Sequence, residues 1–371
     1  MDQAYKDLLT KQQYRLYKDH AAVKLCHWMK ESMLHERHCY KQDFYGISSH
    51  RCLQMTPAIN ECSHMCTFCW RIQEHDFQID DWAEPKEMLD ALIEHQRKLI
   101  WGFKGDPRCD PVMFEEARNP NQVAISLAGE PITYPYLSEF LSECHRRGMT
   151  TFMVTNGTYP ERLESLDVLP MQLYVTVAAP NEKIYKEVCR PKISDGWERL
   201  MRTLDLLPSL DTRTVIRHTL VKGINMGWTE DYARLDRKAG PDLVEPKGYV
   251  FVGGSRNRLS MGCMPSFAEI KEFSADLGSL IGMEIIKERA DSRVVLLGHP
   301  GEETDVRKFY GLERSRFRPS LMAATDENNK KRKEGRVSPR FSITSRAFRQ
   351  ACRRAFLRGL LPGGSSSSWR R

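Results

Sequence analysis

The chain has 371 residues, 41% hydrophobic and 28% charged, with a net charge of +7; these values are ordinary for a globular protein and exclude wholesale disorder, collagen-like repeats and low-complexity fibres. No apolar run approaches the roughly 18–20 residues that cross a bilayer, and the opening MDQAYKDLLTKQQYRLYKDH is too polar for a signal-peptide core, which predicts a cytoplasmic protein with no membrane attachment. In that reducing compartment eleven cysteines, an odd number, argue for metal binding over a disulfide framework.

In chain order, residues 18–34 read as a helix with Leu25, Trp28, Met29 and Met33 on or near one face. Candidate strands follow at 55–60, 123–127, 151–154, 173–177, 214–219, 248–252 and 293–297. Helical patterns lie between them, such as 136–147, with Leu137, Phe140, Leu141 and Cys144 on one face, and 266–277. Strands separated by helices imply βαβ units, a parallel sheet and an α/β barrel, whose chemistry sits in the loops after the strands. The chain divides into an N-terminal segment (1–54), the barrel (55–312) and a tail (313–371).

The charge is concentrated in the tail. From Asn328 onward there are thirteen Lys or Arg against one acid, Glu334, so that stretch carries +12 and the rest of the chain −5. Phe348, Cys352, Phe356 and Leu360 recur every four residues there, with Arg346, Arg349, Arg353 and Arg354 around the other face. This reads either as a basic amphipathic helix for RNA phosphates or an anionic surface, or as a solvated, partly disordered terminus.

Six of the eleven cysteines lie in the first 69 residues. Cys62, Cys66 and Cys69 form CxxxCxxC in ECSHMCTFCW, directly after the first barrel strand. Three thiolates are one short of the four that normally hold a [4Fe–4S] cluster and leave one iron open; three zinc or structural cysteines are the alternative, although zinc sites usually pair C-x2-C spacings with a fourth ligand. Cys26, Cys39 and Cys52, thirteen residues apart, suggest a second cluster of the same kind, or else three buried free thiols. Cys109, Cys144, Cys189, Cys263 and Cys352 are scattered singly and read as ordinary buried thiols.

The CxxxCxxC spacing resembles the radical S-adenosylmethionine (SAM) superfamily, in which SAM chelates the open iron. That resemblance places Phe68 near the adenine. SLAGEP, with Gly129 and Glu130, is similar to the superfamily's Gly-Gly-Glu segment that meets the SAM amino group, with Ala128 replacing the first glycine. Thr155 and Asn156, in VTNGT, fall at the barrel mouth and complete the candidate SAM-binding set.

The stretch RHCYKQDFYGISSHRCLQMTPAINECSHMCTFCWR, with SLAGEPITYPYL, YVTVAAPNEKIYKEVCRP, Gly196-Trp197 and VEPKGYVFVGGSRNRL, resembles the tRNA 4-demethylwyosine synthases over roughly residues 20–300. The resemblance implies a partial (β/α)6 TIM-like radical SAM barrel. It further implies two [4Fe–4S] clusters, on Cys62, Cys66 and Cys69 and on Cys26, Cys39 and Cys52, with Lys41 forming a Schiff base to pyruvate. The implied substrate is phenylalanine tRNA carrying N1-methylguanosine at position 37. A radical formed on its methyl group adds to C2 of pyruvate, and loss of the carboxyl carbon and ring closure give the tricyclic base, a carbon–carbon lyase reaction. Eukaryotic members carry a flavodoxin-like domain not matched here, so the expectation is an external flavodoxin- or ferredoxin-type donor and a monomer. Ala178, where many relatives have an acidic or polar group, departs from the pattern at the SAM ribose loop.

For tRNA phosphates the candidates are Arg190, Arg217, Lys247, Arg256 and Arg258, and for base stacking Trp70, Trp197, Tyr45 and Tyr249. Two other functions fit less of the sequence. One is a radical SAM enzyme with a different substrate; the other is a non-catalytic iron–sulfur RNA-binding protein.

Overall fold

The computed structural model describes residues 1–73 and 79–312, which lie in one compact unit, Met1–Phe317. Its strands are β1 (Tyr14–Tyr17), β2 (Ala21–Lys24), β3 (Cys52–Thr56), β4 (Gln122–Ile125), β5 (Thr150–Thr155), β6 (Gln172–Thr176), β7 (Arg213–Leu220), β8 (Leu243–Gly248), β9 (Glu284–Arg289) and β10 (Val294–Gly298). They form one sheet in the order β1-β2-β3-β4-β5-β6-β7-β8-β10-β9. The six strands β3 to β8 are parallel neighbours. Antiparallel pairs, β1 with β2 and β10 with β9, extend the two ends. The expected partial (β/α)6 barrel is therefore present, and its edges are longer than the sequence reading had them. No helix among the described residues is long and apolar enough to cross a membrane. The amphipathic pattern at 346–360, Cys352 and the rest of the tail lie outside the described residues.

Side chains alternate across each strand, and the alternation builds two separate cores. Leu53, Met55, Val123, Ile125, Met153, Leu173, Val175, Ile216, Val244 and Leu297 face outward and meet the apolar stripes of the surrounding helices. Leu137, Phe140, Leu141 and Cys144 of the Leu137–Arg146 helix are buried there, as its periodicity predicts. The Phe267–Ile281 helix starts on a capping box between Ser266 and Glu269 and stops at Gly282 in the left-handed region. On the inner face Phe152, Tyr174, Val215, Leu243, Val294 and Leu296 enclose Tyr40, Phe44 and Tyr45 of a six-residue helix, Tyr40–Tyr45. Phe44 and Tyr45 are fully buried, and each contributes on the order of 2 kcal/mol of apolar burial. This short helix plugs the barrel and delivers Lys41 to its interior.

Two local readings are corrected. Residues 18–34 are not one helix: Ala21, Ala22 and Val23 are wholly buried in β2, where Ala22 pairs with Thr56 and Val23 with Met55 of β3. Strand pairing overrides a weak helical pattern, and the helix begins only at His27, with Cys26 as its N-cap. The strand expected at 248–252 lies earlier, at Leu243–Gly248. Pro246 and the charged Glu245 and Lys247 weaken the strand signal of that segment, since proline is rare in central strands. Its β10 ladder pairs only Val294 with Lys247 and Leu297 with Val244, and Pro246 falls in the gap.

Candidate active site

The cluster-motif loop follows β3 and packs on the C-terminal end of the Glu182–Cys189 helix. The amide of Thr67 donates to the Val188 carbonyl at 2.8 Å and that of Met65 to the Cys189 carbonyl at 3.1 Å. Cys62, Cys66 and Cys69 are partly buried on this loop. All three flank one cation, Arg71, which is 5% exposed. Its guanidinium donates to the His64 carbonyl at 2.8 Å and to Asn60 Oδ1 at 3.3 Å. Burial alone would disfavour the Arg71 charge, and the three thiols beside it outweigh that. Burial pushes the Cys62 thiol up to about 12, opposed by Arg71. Three soft donors around a buried guanidinium fit a cluster with net negative charge. Sequence reading missed Arg71, although it stands two residues beyond the motif.

Two further loops brace this one. Asn156 donates from Nδ2 to Cys62 Sγ at 3.6 Å and to Ser63 Oγ at 2.9 Å, and its Oδ1 accepts from the Thr158 amide. Glu130 is buried; one carboxylate oxygen accepts from the Asn156 amide at 2.7 Å and the other from the Ile132 amide at 3.4 Å. Burial raises its carboxyl to about 7. Thr155 is buried, and its hydroxyl accepts from the Gly157 amide. Gly129 has φ +71, and a Cβ there would lie 1.7 Å from the Ala58 carbonyl oxygen. Gly129→Ala is therefore expected to cost at least about 2 kcal/mol and to loosen the loop, a result that chemical denaturation will measure. Phe68 packs against the outer core.

Cys66 has a neighbour that sequence reading left in the bulk core: the ligand atoms of His64, Cys66 and buried Cys189 lie within 4.8 Å of one another. His64 Nε2 is 2.6 Å from the Tyr185 hydroxyl. Burial, then the Arg71 charge, lowers its pKa from 6.5 to about 3. A lowered folded-state pKa means that the stability from neutral His64 is complete above pH 6.5 and is lost as pH falls toward 3. That loss is on the order of 5 kcal/mol, so His64→Gln should flatten the acid limb of apoprotein unfolding.

The structure also brings Cys26, Cys39 and Cys52 together, in one electrostatic neighbourhood that includes Lys41. Cys26 and Cys39 are the N-caps of helices His27–His35 and Tyr40–Tyr45, and Cys52 opens β3. The Cys26 thiol lies against the amides of Trp28 and Met29, and that of Cys39 against the amide of Lys41. Helix N-termini favour the thiolate. Burial opposes it and pushes Cys39 up to about 12.

Lys41 Nζ lies 5.0 Å from the ring centroid of Tyr174 and 5.4 Å from that of Phe152. Burial, and then the charge of Arg217, lower its pKa. Arg217 shares this wall, its guanidinium 4.4 Å from the Tyr174 centroid. It pairs with fully buried Glu245, donating from Nε at 2.9 Å. The hydroxyls of Tyr40 and Tyr45 donate to the same carboxylate at 2.9 and 2.7 Å. Lys247 Nζ lies 4.7 Å from the Tyr40 centroid and donates to the Ser292 carbonyl at 2.9 Å.

Several expected RNA contacts are thereby corrected. Arg217 and Lys247 are inner-face residues of β7 and β8, engaged with Glu245 and Ser292, and do not present themselves to phosphates. Arg258 donates to the carbonyls of Thr67 and Cys69 and so holds the cluster loop. Tyr45 and Tyr249 are buried, and Trp197 packs on the core beside Tyr185 at 5.5 Å. Trp70 and Arg256 remain exposed, and Arg190 lines an open groove with Lys186 and Lys192. Ala178 is buried, its carbonyl accepting from Asn225 at 2.7 Å.

Comparison with known proteins gives the same picture. Residues 56–235 match the radical SAM superfamily, and residues 238–299 match a wyosine base formation family. The S-adenosyl-L-methionine-dependent tRNA 4-demethylwyosine synthase of Pyrococcus horikoshii is 51% identical over 304 residues, covering 80% of this chain and 89% of the other. The chain belongs to this synthase family. The Methanocaldococcus jannaschii synthase is 37% identical over 80% of this chain and 96% of its own. A solved structure of TYW1 with a lysine–pyruvate adduct bound superposes with a TM-score of 0.76 at 34% identity, covering 82% of this chain and 99% of the other. Archaeal TYW1 gives 0.69 at 32% identity. The chain is thus a radical SAM enzyme of wyosine-base formation in tRNA, with SAM and a [4Fe–4S] cluster as cofactors. Glu245, Lys247 and the loop after β8 fall in the wyosine-formation region, whereas Cys62, Cys66, Cys69 and Arg71 fall in the superfamily region.

Proposed function

We propose that this enzyme condenses N1-methylguanosine-37 of phenylalanine tRNA with pyruvate to form 4-demethylwyosine, acting as a carbon–carbon lyase. The observation that carries this reading is Lys41, held by the plug helix beside Cys26, Cys39 and Cys52 and against the rings of Phe152 and Tyr174. An amine that attacks a ketone must be unprotonated, and desolvation with a nearby guanidinium favours that form. Its Nζ adds to C2 of pyruvate, water leaves, and the imine holds the three-carbon unit in the barrel. Arg217, fixed by Glu245 and in the same charge neighbourhood as Lys41, is the cation we assign to balance the pyruvate carboxylate. The adduct carried by the TYW1 structure is of this chemical kind.

The residues fit two iron–sulfur clusters. Cys62, Cys66 and Cys69 would hold one, which with SAM bound would supply the one-electron chemistry that activates an otherwise inert N-methyl group. Cys26, Cys39 and Cys52 would hold the second, with helix N-termini behind Cys26 and Cys39. Asn156 orients Cys62. Glu130 ties the Gly129 turn to the Asn156 loop, which would leave backbone amides and carbonyls to meet SAM, with Thr155 setting the turn and Phe68 the residue that would meet the adenine. The electron donor is an external flavodoxin- or ferredoxin-type protein, and the enzyme works as a cytoplasmic monomer.

Anaerobic reconstitution tests the two-cluster reading. The expected content is about eight irons per chain, falling to about four in Cys26→Ala and in Cys66→Ala. About four irons in the wild type, unchanged in Cys26→Ala, would leave that triad without a cluster.

A further inference from the structure

Beside the cluster loop lies a surface that the chemistry above does not use. Trp70, the residue after Cys69, is 40% exposed, and its ring is fixed by an Nε1 hydrogen bond to the Leu127 carbonyl at 2.8 Å. The loop after β8 is pressed against it. The Gly254 amide donates to the Trp70 carbonyl at 2.7 Å, and a Cβ on Gly253 or Gly254 would come within 2.4 Å or 2.6 Å of the carbonyl oxygen of Trp70 or Arg71. Only glycine permits this approach. The same loop exposes Val250 (38%), Val252 (39%) and Met261 (66%). It also carries Arg256, whose guanidinium lies 5.2 Å from the centroid of the Phe251 ring.

We infer that Trp70, Val250, Val252, Met261 and the Phe251–Arg256 pair form a stacking platform for the unpaired anticodon-loop bases flanking the modified guanosine. This rests on the tRNA reading above and adds the surface that grips the RNA. Three features select this occupant. First, a flat indole with its polar edge satisfied, against a loop that carries a guanidinium held over an aromatic ring, offers faces on which any base stacks and a positive charge for the backbone. Second, the platform adjoins Cys69, so a base flipped from a loop resting on it has only a short distance to travel. Third, most of it comes from the wyosine-formation region, 238–299, whereas the cluster loop it grips belongs to the superfamily region. The segment specific to this chemistry thus supplies the face that meets the substrate.

Equilibrium binding of an anticodon stem-loop bearing N1-methylguanosine tests the platform, on reconstituted full-length protein with matched iron content. Trp70→Ala should weaken binding about tenfold or more, the loss of roughly one stacked base, and Trp70→Phe by no more than about threefold. Met261→Ser and Arg256→Ala should each weaken it, Arg256→Ala more at low salt. Wild-type binding that none of these variants alters overturns the platform alone. A wild type that prefers this stem-loop no more than an unrelated hairpin overturns the tRNA reading itself. If Trp70→Ala slows turnover with a reduced flavodoxin but not with dithionite, and leaves RNA affinity intact, the face docks the electron donor and the inference is wrong.

Discussion

Lys41→Ala abolishes formation of the tricyclic base, lowering turnover by at least about 10^3-fold, and removes the pyruvate adduct that borohydride otherwise traps on the chain. The expectation follows from position as much as from residue type. Lys41 is placed by a six-residue helix whose Phe44 and Tyr45 are fully buried in the barrel. Its amino group is packed against Tyr174 and Phe152. Lys41→Arg keeps a cation on that wall but cannot form an imine, so it should fail as completely as alanine. The same variants should still cleave SAM reductively, because Cys62, Cys66, Cys69 and their bracing loops are untouched. Mass analysis of the borohydride-treated chain, beside deoxyadenosine release, reads both consequences. An adduct that persists in Lys41→Ala would move the covalent role to another amine, with Lys247 the nearest candidate.

For assembly of the cluster on Cys62, Cys66 and Cys69, Arg71→Met should be the most damaging change outside the cysteines. Arg71 is the buried cation that all three motif cysteines flank. Removing one partner from a buried charged cluster costs about 3–5 kcal/mol, because the remaining charge is left uncompensated. The expected results are low iron occupancy at this site and, in the fraction that assembles, a midpoint potential shifted negative, since net charge and hydrogen bonding set cluster potentials. Arg71→Lys keeps the charge but not the two-point grip on His64 and Asn60, and should fall between wild type and methionine. A redox titration followed by electron paramagnetic resonance measures the shift. An unchanged potential in Arg71→Met would mean that the guanidinium serves only to hold the backbone.

How much of this was legible in the sequence depended on how local each signal is. CxxxCxxC is written in eight consecutive residues, and the barrel followed from seven strand patterns with helices between them. Cys26, Cys39 and Cys52 carry no local pattern; two helix starts and a strand start bring them together, and only resemblance linked them beforehand. The helix expected at 18–34 failed because a short alanine–valine run buried on both faces fits a strand as readily as a helix. The strand at Leu243–Gly248 hid behind Glu245, Pro246 and Lys247. Those inner-face charges are what a catalytic barrel requires and what a propensity argument penalises. Arg217 and Lys247 looked like surface cations for the same reason. Cys189 gave no warning of its proximity to Cys66, since that contact crosses more than a hundred residues of chain.

One barrel is thus proposed to join SAM radical chemistry to a lysine-bound pyruvate in order to build a ring on tRNA. The most direct test is to incubate the anaerobically reconstituted protein with dithionite, SAM, isotopically labelled pyruvate and tRNA bearing N1-methylguanosine, digest the tRNA, and weigh its nucleosides. The expected result is a new tricyclic nucleoside carrying label from pyruvate and absent when pyruvate or SAM is omitted. Deoxyadenosine release with the N1-methylguanosine mass unchanged would contradict it.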